Sequence, residues 1–142
     1  MIVAVIDTNV LISSAISDKG SPRKVFELWR DGRFILLSSP ELIEEVGLVL
    51  RYPRIQSRYR LSESDILAFL QLLSTAATIV SAQPAPLEGL PDPSDAKLFL
   101  AARAGRAEYL VTGDQALLAM GDYQDIRVLP ATAFVELVEE RR

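Results

Sequence analysis

Short apolar, β-branched segments alternate with helical segments along the whole chain, and this alternation is what most constrains the fold. Strands are predicted at 2–6, 34–37, 77–80, 109–112 and 126–129. A first short helix is predicted from about Asn9 to Ala15, and later helices begin at Ser21, Ser39, Ser62, Ser94, Asp114 and Ala131. Such alternation is typical of a parallel sheet with helices on both faces. We expect an α/β/α sandwich with a central parallel sheet of four to five strands, in one domain spanning residues 1–142.

Composition excludes several classes of protein and site. The chain has 142 residues, of which 49% are hydrophobic, so it can bury a core and is not a disordered chain. It contains neither His nor Cys, which excludes disulfides, thiolate or imidazole metal sites, cysteine nucleophiles and Ser-His-Asp triads. No apolar stretch reaches the roughly 18 residues of a membrane span, and no export signal is visible, so we expect a cytoplasmic protein.

Acidic residues recur where predicted strands end and helices begin. Asp7 follows the first strand, Asp114 follows the strand at 109–112, and Asp95 lies in the first turn of a predicted helix. Parallel sheets bind ligands at the carboxyl ends of their strands, and helices start at that same edge. The topology therefore predicts that these three carboxylates meet.

A helix-borne glutamate is expected to join them. Glu45 lies on the helix after the second strand, beside its apolar stripe. Glu41 and Glu44 lie on the same helix, and helical phase alone does not choose among the three. Surface helices are usually charged, so each glutamate is individually a weak signal.

Carboxylates without His or Cys are the coordination chemistry of Mg²⁺ or Mn²⁺, and such ions hydrolyse phosphodiesters. A simpler reading exists for each acid, because Asp at strand–helix junctions often caps a helix. Occurrence at corresponding ends of several elements favours a shared site. In that reading Thr8 and Asn9 orient Asp7 or support a neighbouring acid.

The segment from residue 51 to 60 interleaves four arginines with two tyrosines, Tyr52 and Tyr59. Arginines bind phosphates and tyrosines stack on bases in single-strand binders. A solvated connection between helices is the competing interpretation. If the substrate is RNA, the candidate phosphate-binding residues are Arg51, Arg54, Arg58 and Arg60.

At this point the pattern resembles the PIN domain, a family of metal-dependent nucleases, and above all its subgroup of toxin components of toxin–antitoxin pairs. The resemblance covers nearly the whole chain. Its motifs are residues 5–11 (VIDTNVL), 37–45 (LSSPELIEE), 92–97 (DPSDAK) and 109–114 (YLVTGD).

This resemblance implies an acidic pocket that binds Mg²⁺ or Mn²⁺ and cleaves single-stranded RNA. The family's four acids match Asp7, Glu45, Asp95 and Asp114, while Asp92 resembles an accessory acid. Asn9 and Thr112 match supporting polar positions. Ala96 stands where many similar sequences have a further acid, which leaves open whether one or two ions bind. The resemblance also implies a small antitoxin partner and makes a homodimer plausible, with Leu28 and Trp29 as candidate contacts.

Two other functions remain open from the residues alone. An aspartate-dependent phosphohydrolase would use Asp7 as its nucleophile, but the type with a second aspartate two positions later has Asn9 here instead. A non-catalytic binding module would use the acids only as helix caps and would dock a partner protein. Metal binding distinguishes this module from a nuclease.

Overall fold

The computed structural model describes residues 1–141 and contains a five-stranded, fully parallel sheet. The strands are β1 (Val3–Ile6), β2 (Ile35–Ser38), β3 (Thr78–Ile79), β4 (Tyr109–Val111) and β5 (Arg127–Leu129). Their spatial order is β3-β2-β1-β4-β5, so the direction in which strands are added reverses between β1 and β4. The predicted α/β sandwich with a parallel sheet is confirmed.

Helices fill the connections between strands. They are α1 (Thr8–Ile16), α2 (Ser21–Arg30), α3 (Pro40–Leu50), α4 (Pro53–Arg58), α5 (Glu63–Ala76), α6 (Ala96–Ala104), α7 (Gln115–Met120) and α8 (Ala131–Glu140). Ser39 caps α3 by accepting the Leu42 N–H, as its Ser-Pro-Glu start predicts. No helix in the described part of the chain is long and apolar enough to cross a membrane.

Three local expectations differ from the structure. Helix α4 occupies part of the segment interpreted as a connection, because Pro53 starts it with its backbone angle already set. Ser21 is predicted to cap α2 with Pro22 as the first helical residue, but Ser21 is itself the first residue of the helix and Gly20 stands at the cap position. Asp95 ends a single 3-10 turn, Pro93–Asp95, that precedes α6, so it lies just before the helix rather than in its first turn.

The sheet is apolar on both faces, and alternate residues of each strand serve different faces. In β1, Ala4 and Ile6 pack with α1, α2, α5 and α8, whereas Val5 packs with α6 and α7. Helix α3 contributes to both sides, with Leu42 in one cluster and Val46 in the other. This double contact fixes α3, and therefore Glu45, relative to the strand ends.

The structure corrects the predicted dimer contacts, Leu28 and Trp29. Leu28 is 8% exposed and Trp29 is 6% exposed, and both pack into the core beneath α2. Their apolar side chains are already buried within the folded chain, because α2 packs against α8. These two residues are therefore not available to a second copy of the chain.

Gly105, directly after α6, is a point of close approach to the sheet. A Cβ added there would collide with the side chain of Leu37, which is 3% exposed and has little room to move.

We predict that Gly105→Ala lowers the free energy of unfolding by about 1–3 kcal/mol, the usual cost of overpacking. Gly113→Ala is the matched control, because nothing lies within 4 Å of its added Cβ, and it should change stability by less than about 0.5 kcal/mol. Urea unfolding of both variants measures this, and equal stabilities would refute the packing argument.

Candidate functional site

The candidate site is built around Asp7, where β1 ends at the reversal of strand order. The Asp7 backbone N–H donates to the Val111 carbonyl at 2.8 Å, which continues the β1–β4 pairing by one residue. The buried Thr112 hydroxyl donates to Asp7 Oδ2 at 2.7 Å and accepts the Asp114 N–H at 3.0 Å. Thr112 therefore joins the two strand ends that deliver Asp7 and Asp114.

The pKa of Asp7 is raised above its ordinary value, chiefly because burial disfavours the carboxylate. Hydrogen bonds from Thr112 and the Thr8 backbone oppose this rise in pKa. The negative charges of Glu45 and Asp114 add to it. Asp7 is thus a partly desolvated carboxylate that lies within electrostatic reach of two other candidate acids.

Glu45 is the glutamate that the fold brings to Asp7. The buried Thr8 hydroxyl, one residue after Asp7, donates to Glu45 Oε2 at 3.0 Å. Lys97 Nζ lies 3.1 Å from the same oxygen. Glu41 and Glu44 are exposed on the outer side of α3. The geometry therefore favours Glu45 among the three.

Asp95 lies in the same electrostatic field. Its pKa is raised to about 6, first by burial and then by the charges of Asp7, Asp92 and Asp114, with Lys97 opposing the shift. Asp92 is exposed, and its Oδ1 accepts the Ser94 N–H at 2.9 Å. That hydrogen bond lowers the pKa of Asp92. Asp92 therefore acts as a turn cap here, and its negative charge also acts on Asp95.

The carboxylate of Asp114 caps the start of α7. Its Oδ1 accepts the N–H groups of Ala116 at 2.8 Å and Leu117 at 3.2 Å, which is the capping role considered from the sequence. Capping uses only one carboxylate oxygen. Asp114 still raises the pKa of both Asp7 and Asp95, so its charge belongs to the same cluster.

Within residues 1–141, no three acidic side chains lie close enough together to hold a metal ion as they stand. Three of the acids are already engaged within the protein. Asp7 accepts from Thr112, Glu45 contacts Thr8 and Lys97, and Asp114 caps the start of α7. The donors themselves are all oxygens, which suits a hard divalent cation. Their mutual repulsion leaves negative charge that a cation would relieve, so the residues fit Mg²⁺ or Mn²⁺ in chemistry.

The remaining predicted site residues differ in their exposure and in the contacts that they make. Asn9 is exposed at the start of α1, and its side chain forms no hydrogen bond within the described residues. Arg51 is held by Glu63 at 2.6 Å. Arg54, Arg58 and Arg60 are exposed on or beside α4. One of the four arginines in this segment, Arg51, therefore has a structural partner.

Sequence reasoning missed two polar residues near the strand ends. Lys97 follows Asp95 by two positions, and a lone base beside several acids was the available signal. Ser38 ends β2 next to β1, is 1% exposed, and its hydroxyl has no hydrogen-bond partner among the described residues. A buried hydroxyl without a partner is uncommon in native structures. Nothing in the sequence distinguishes Ser38 from Ser39, which caps a helix.

Comparisons with known proteins agree on the family and the fold. The PIN domain family model matches residues 3–116. The uncharacterized protein MJ1680 of Methanocaldococcus jannaschii is 30% identical over 118 residues, covering 83% of this chain and 74% of that protein. The crystal structure of Mycobacterium tuberculosis VapC20, described as a sarcin–ricin loop cleaving toxin, superposes with a TM-score of 0.58 at 16% identity. That match covers 87% of this chain and 98% of VapC20 and concerns the fold.

The opposite pKa shifts of Asp95 and Asp92 predict opposite effects on stability. The folded-state pKa of Asp95 is about 6, above its ordinary value of 3.8, so stability is lost as the pH rises from about 4 to 6. Asp95→Asn should therefore unfold at a higher temperature than the wild type at pH 7 in chelator, and the difference should vanish near pH 4. Asp92→Asn is the control: the lowered pKa of Asp92 stabilises the fold at neutral pH, and that contribution is lost as the pH falls through the lowered pKa. Thermal unfolding between pH 3.5 and 7.5 measures both, and a destabilised Asp95→Asn at pH 7 would contradict the argument.

Proposed function

The chain belongs to the PIN-domain family, and from that premise we propose that it is a Mg²⁺- or Mn²⁺-dependent endoribonuclease acting on single-stranded RNA. The observation that supports this most directly is the electrostatic coupling of the acids at the β1 and β4 ends. In addition to burial, the charges of Glu45 and Asp114 raise the pKa of Asp7, and the charges of Asp7 and Asp114 raise the pKa of Asp95. A fold that needed these acids only as caps would gain nothing from placing them within each other's field. Destabilised charge clusters are typical of functional sites.

In this proposal the cation would be held by Asp7, Glu45, Asp95 and Asp114, with Asp92 as an accessory acid. When bound, the cation lowers the pKa of a water molecule and offsets charge that develops on the phosphate. Thr112 keeps Asp7 Oδ2 oriented, and Thr8 does the same for Glu45 Oε2. Such outer partners fix the direction of ligand oxygens.

The chain's own acids also complete the chemistry of hydrolysis. A carboxylate of the cluster accepts the proton of the attacking water, because the chain has no histidine to serve as base. In-line attack at phosphorus leaves a 5′-phosphate and a 3′-hydroxyl, as the family resemblance implies. Asn9, exposed at the rim, is available to contact RNA.

The biological role we propose is the toxin of a toxin–antitoxin pair in the cytoplasm. The likeness of fold to VapC20, a toxin by its description, supports this assignment. An antitoxin would place a basic residue against the acids. The contact between Lys97 and Glu45 shows that the cluster accommodates an ammonium group. A homodimer remains part of the proposal, with contacts other than Leu28 and Trp29.

A non-catalytic binding module is the second candidate function. It is favoured by the engagement of Asp114 as the α7 cap and of Glu45 with Lys97, since these contacts satisfy both acids without a cation. The two functions differ in one measurable property. A module needs no Mg²⁺ or Mn²⁺, and calorimetric titration with either ion would detect no binding.

Substitution at Asp7 tests the nuclease directly. Asp7→Asn should lower cleavage of single-stranded RNA in Mn²⁺ by more than about 100-fold, since even outer-shell partners of a metal ligand are worth about 10–100-fold. The fold should persist, because the amide still accepts from Thr112 and carries no charge to bury. Asp18→Asn, on the exposed α1–α2 loop, is the matched control and should cleave as the wild type does. Cleavage by Asp7→Asn that still requires Mn²⁺ and is lost in chelator would defeat the assignment.

Arginines on α4 provide a separate test of RNA binding. We propose that Arg54 and Arg58 contact phosphates, because Arg51 is committed to Glu63. The double variant Arg54→Gln/Arg58→Gln, measured in chelator so that RNA stays intact, should reduce the salt slope of log affinity by about 1.4, or about 0.7 per contact. The double variant Arg30→Gln/Arg103→Gln removes two exposed arginines elsewhere and should leave the slope unchanged. Equal slopes for the two double variants would exclude the α4 surface.

A further inference from the structure

Lys97 connects two elements of the candidate site. It lies in the first turn of α6, two residues after Asp95, and its ammonium reaches across to Glu45 Oε2 on α3 at 3.1 Å. Both side chains are about one-third exposed, at 36% and 35%. The pair is therefore a partly solvated contact rather than a buried structural one.

Among the ion pairs formed within residues 1–141, this one alone involves a candidate metal ligand. The others join Arg23 to Glu27, Lys24 to Glu139 and Arg51 to Glu63. Lys97 also acts on the acids beyond its direct partner, since its charge opposes the raised pKa of Asp95. It is thus the positive charge that offsets the acidic cluster.

The surroundings of Lys97 leave it room to move. It borders a cavity of about 320 Å³ that is also lined by Ala82, Pro84 and Ala85 and by the start of α6. It also borders a cavity of about 400 Å³ formed with the exposed side of α3. A lysine side chain is a flexible stem with a compact charge, so the ammonium can change partner with little rearrangement.

We propose that Lys97 is an internal counter-cation that competes with the divalent cation for Glu45 and, once displaced, binds a phosphate of the RNA. This inference rests on the proposed function, and it assigns Lys97 a role in both states of the site. Glu45 Oε2 accepts from Thr8 and contacts the Lys97 ammonium, so a cation that uses this oxygen must displace the ammonium. A cation at the other oxygen, Oε1, would still meet the repulsion of a positive charge on the same carboxylate. Metal binding and the Lys97–Glu45 contact therefore oppose each other.

The energetic balance favours such an exchange. Exposed ion pairs contribute little, so their loss weakens metal binding only modestly. The displaced ammonium remains next to a site that carries a phosphodiester, whose charge it can meet with a charge-assisted hydrogen bond. The contact that Lys97 loses when metal binds is thereby replaced by a contact with the substrate.

Metal affinity gives the first test, without RNA. Calorimetric titration with Mn²⁺ should show about two- to fivefold tighter binding to Lys97→Met than to the wild type, because the competing ammonium is gone. Lys24→Met is the matched control: it removes the same charge and breaks the surface pair with Glu139, and it should leave Mn²⁺ affinity unchanged. Lys97→Gln serves as a second variant, and thermal unfolding verifies that each variant is folded.

RNA cleavage gives the second test. At saturating Mn²⁺, Lys97→Met should cleave single-stranded RNA roughly 10- to 100-fold more slowly, the loss expected for one charge-assisted hydrogen bond, although it binds metal more tightly. Lys97→Arg should recover most of the rate because it restores the charge. Opposite changes in metal affinity and in rate are a pattern that a merely structural lysine would not produce.

The outcomes separate this inference from the proposed nuclease function. If the wild type cleaves RNA but Lys97→Met binds Mn²⁺ equally or more weakly, the counter-cation role is overturned and the nuclease stands. If the wild type binds Mn²⁺ but cleaves no RNA, the nuclease fails, and tighter binding by Lys97→Met still supports competition at Glu45. Absence of Mn²⁺ binding by both proteins overturns the inference together with the metal site.

Discussion

The hydrogen bond from Thr112 to Asp7 is the interaction on which the site depends. It spans the junction between β1 and β4, where strand order reverses and where parallel sheets open a crevice for ligands. Two buried strands converge there, and the Thr112 hydroxyl receives the Asp114 N–H while it donates to Asp7. A single buried side chain therefore sets the relative positions of two acids that are 107 residues apart in sequence.

The acids form a charge cluster that the protein balances with its own groups. Burial and the repulsion of neighbouring acids raise the pKa values of Asp7 and Asp95. Other groups stabilise the acids: Thr112 donates to Asp7, Thr8 and Lys97 contact Glu45, and the start of α7 donates to Asp114. Each stabilising contact is local and individually weak compared with burial of an unpaired charge. This balance accounts for an arrangement in which the acids lie near one another without a bound cation.

Much of the fold was readable from the sequence because its signals are local. Proline and serine at helix starts predicted α3, and β-branched runs bounded by polar residues predicted the strands. Helix α4 was missed because its six residues carry no apolar stripe, and its arginines resemble a solvated connection. Leu28 and Trp29 lie in the core although the sequence favours them as dimer contacts, because an apolar helix face does not reveal whether its partner is another helix or another chain.

By itself the sequence determined the parallel α/β class and an oxygen-only set of candidate ligands, since strand–helix alternation and the absence of His and Cys are properties of the chain alone. Only the tertiary structure decided that Glu45 faces Asp7 while Glu41 and Glu44 face solvent, and that Lys97 reaches Glu45. Glu41 and Glu45 lie one turn apart on the same face of the helix, so helical phase alone does not choose between them. The packing of α3 against both faces of the sheet makes that choice, because it fixes both the rotation of the helix about its axis and its position along that axis.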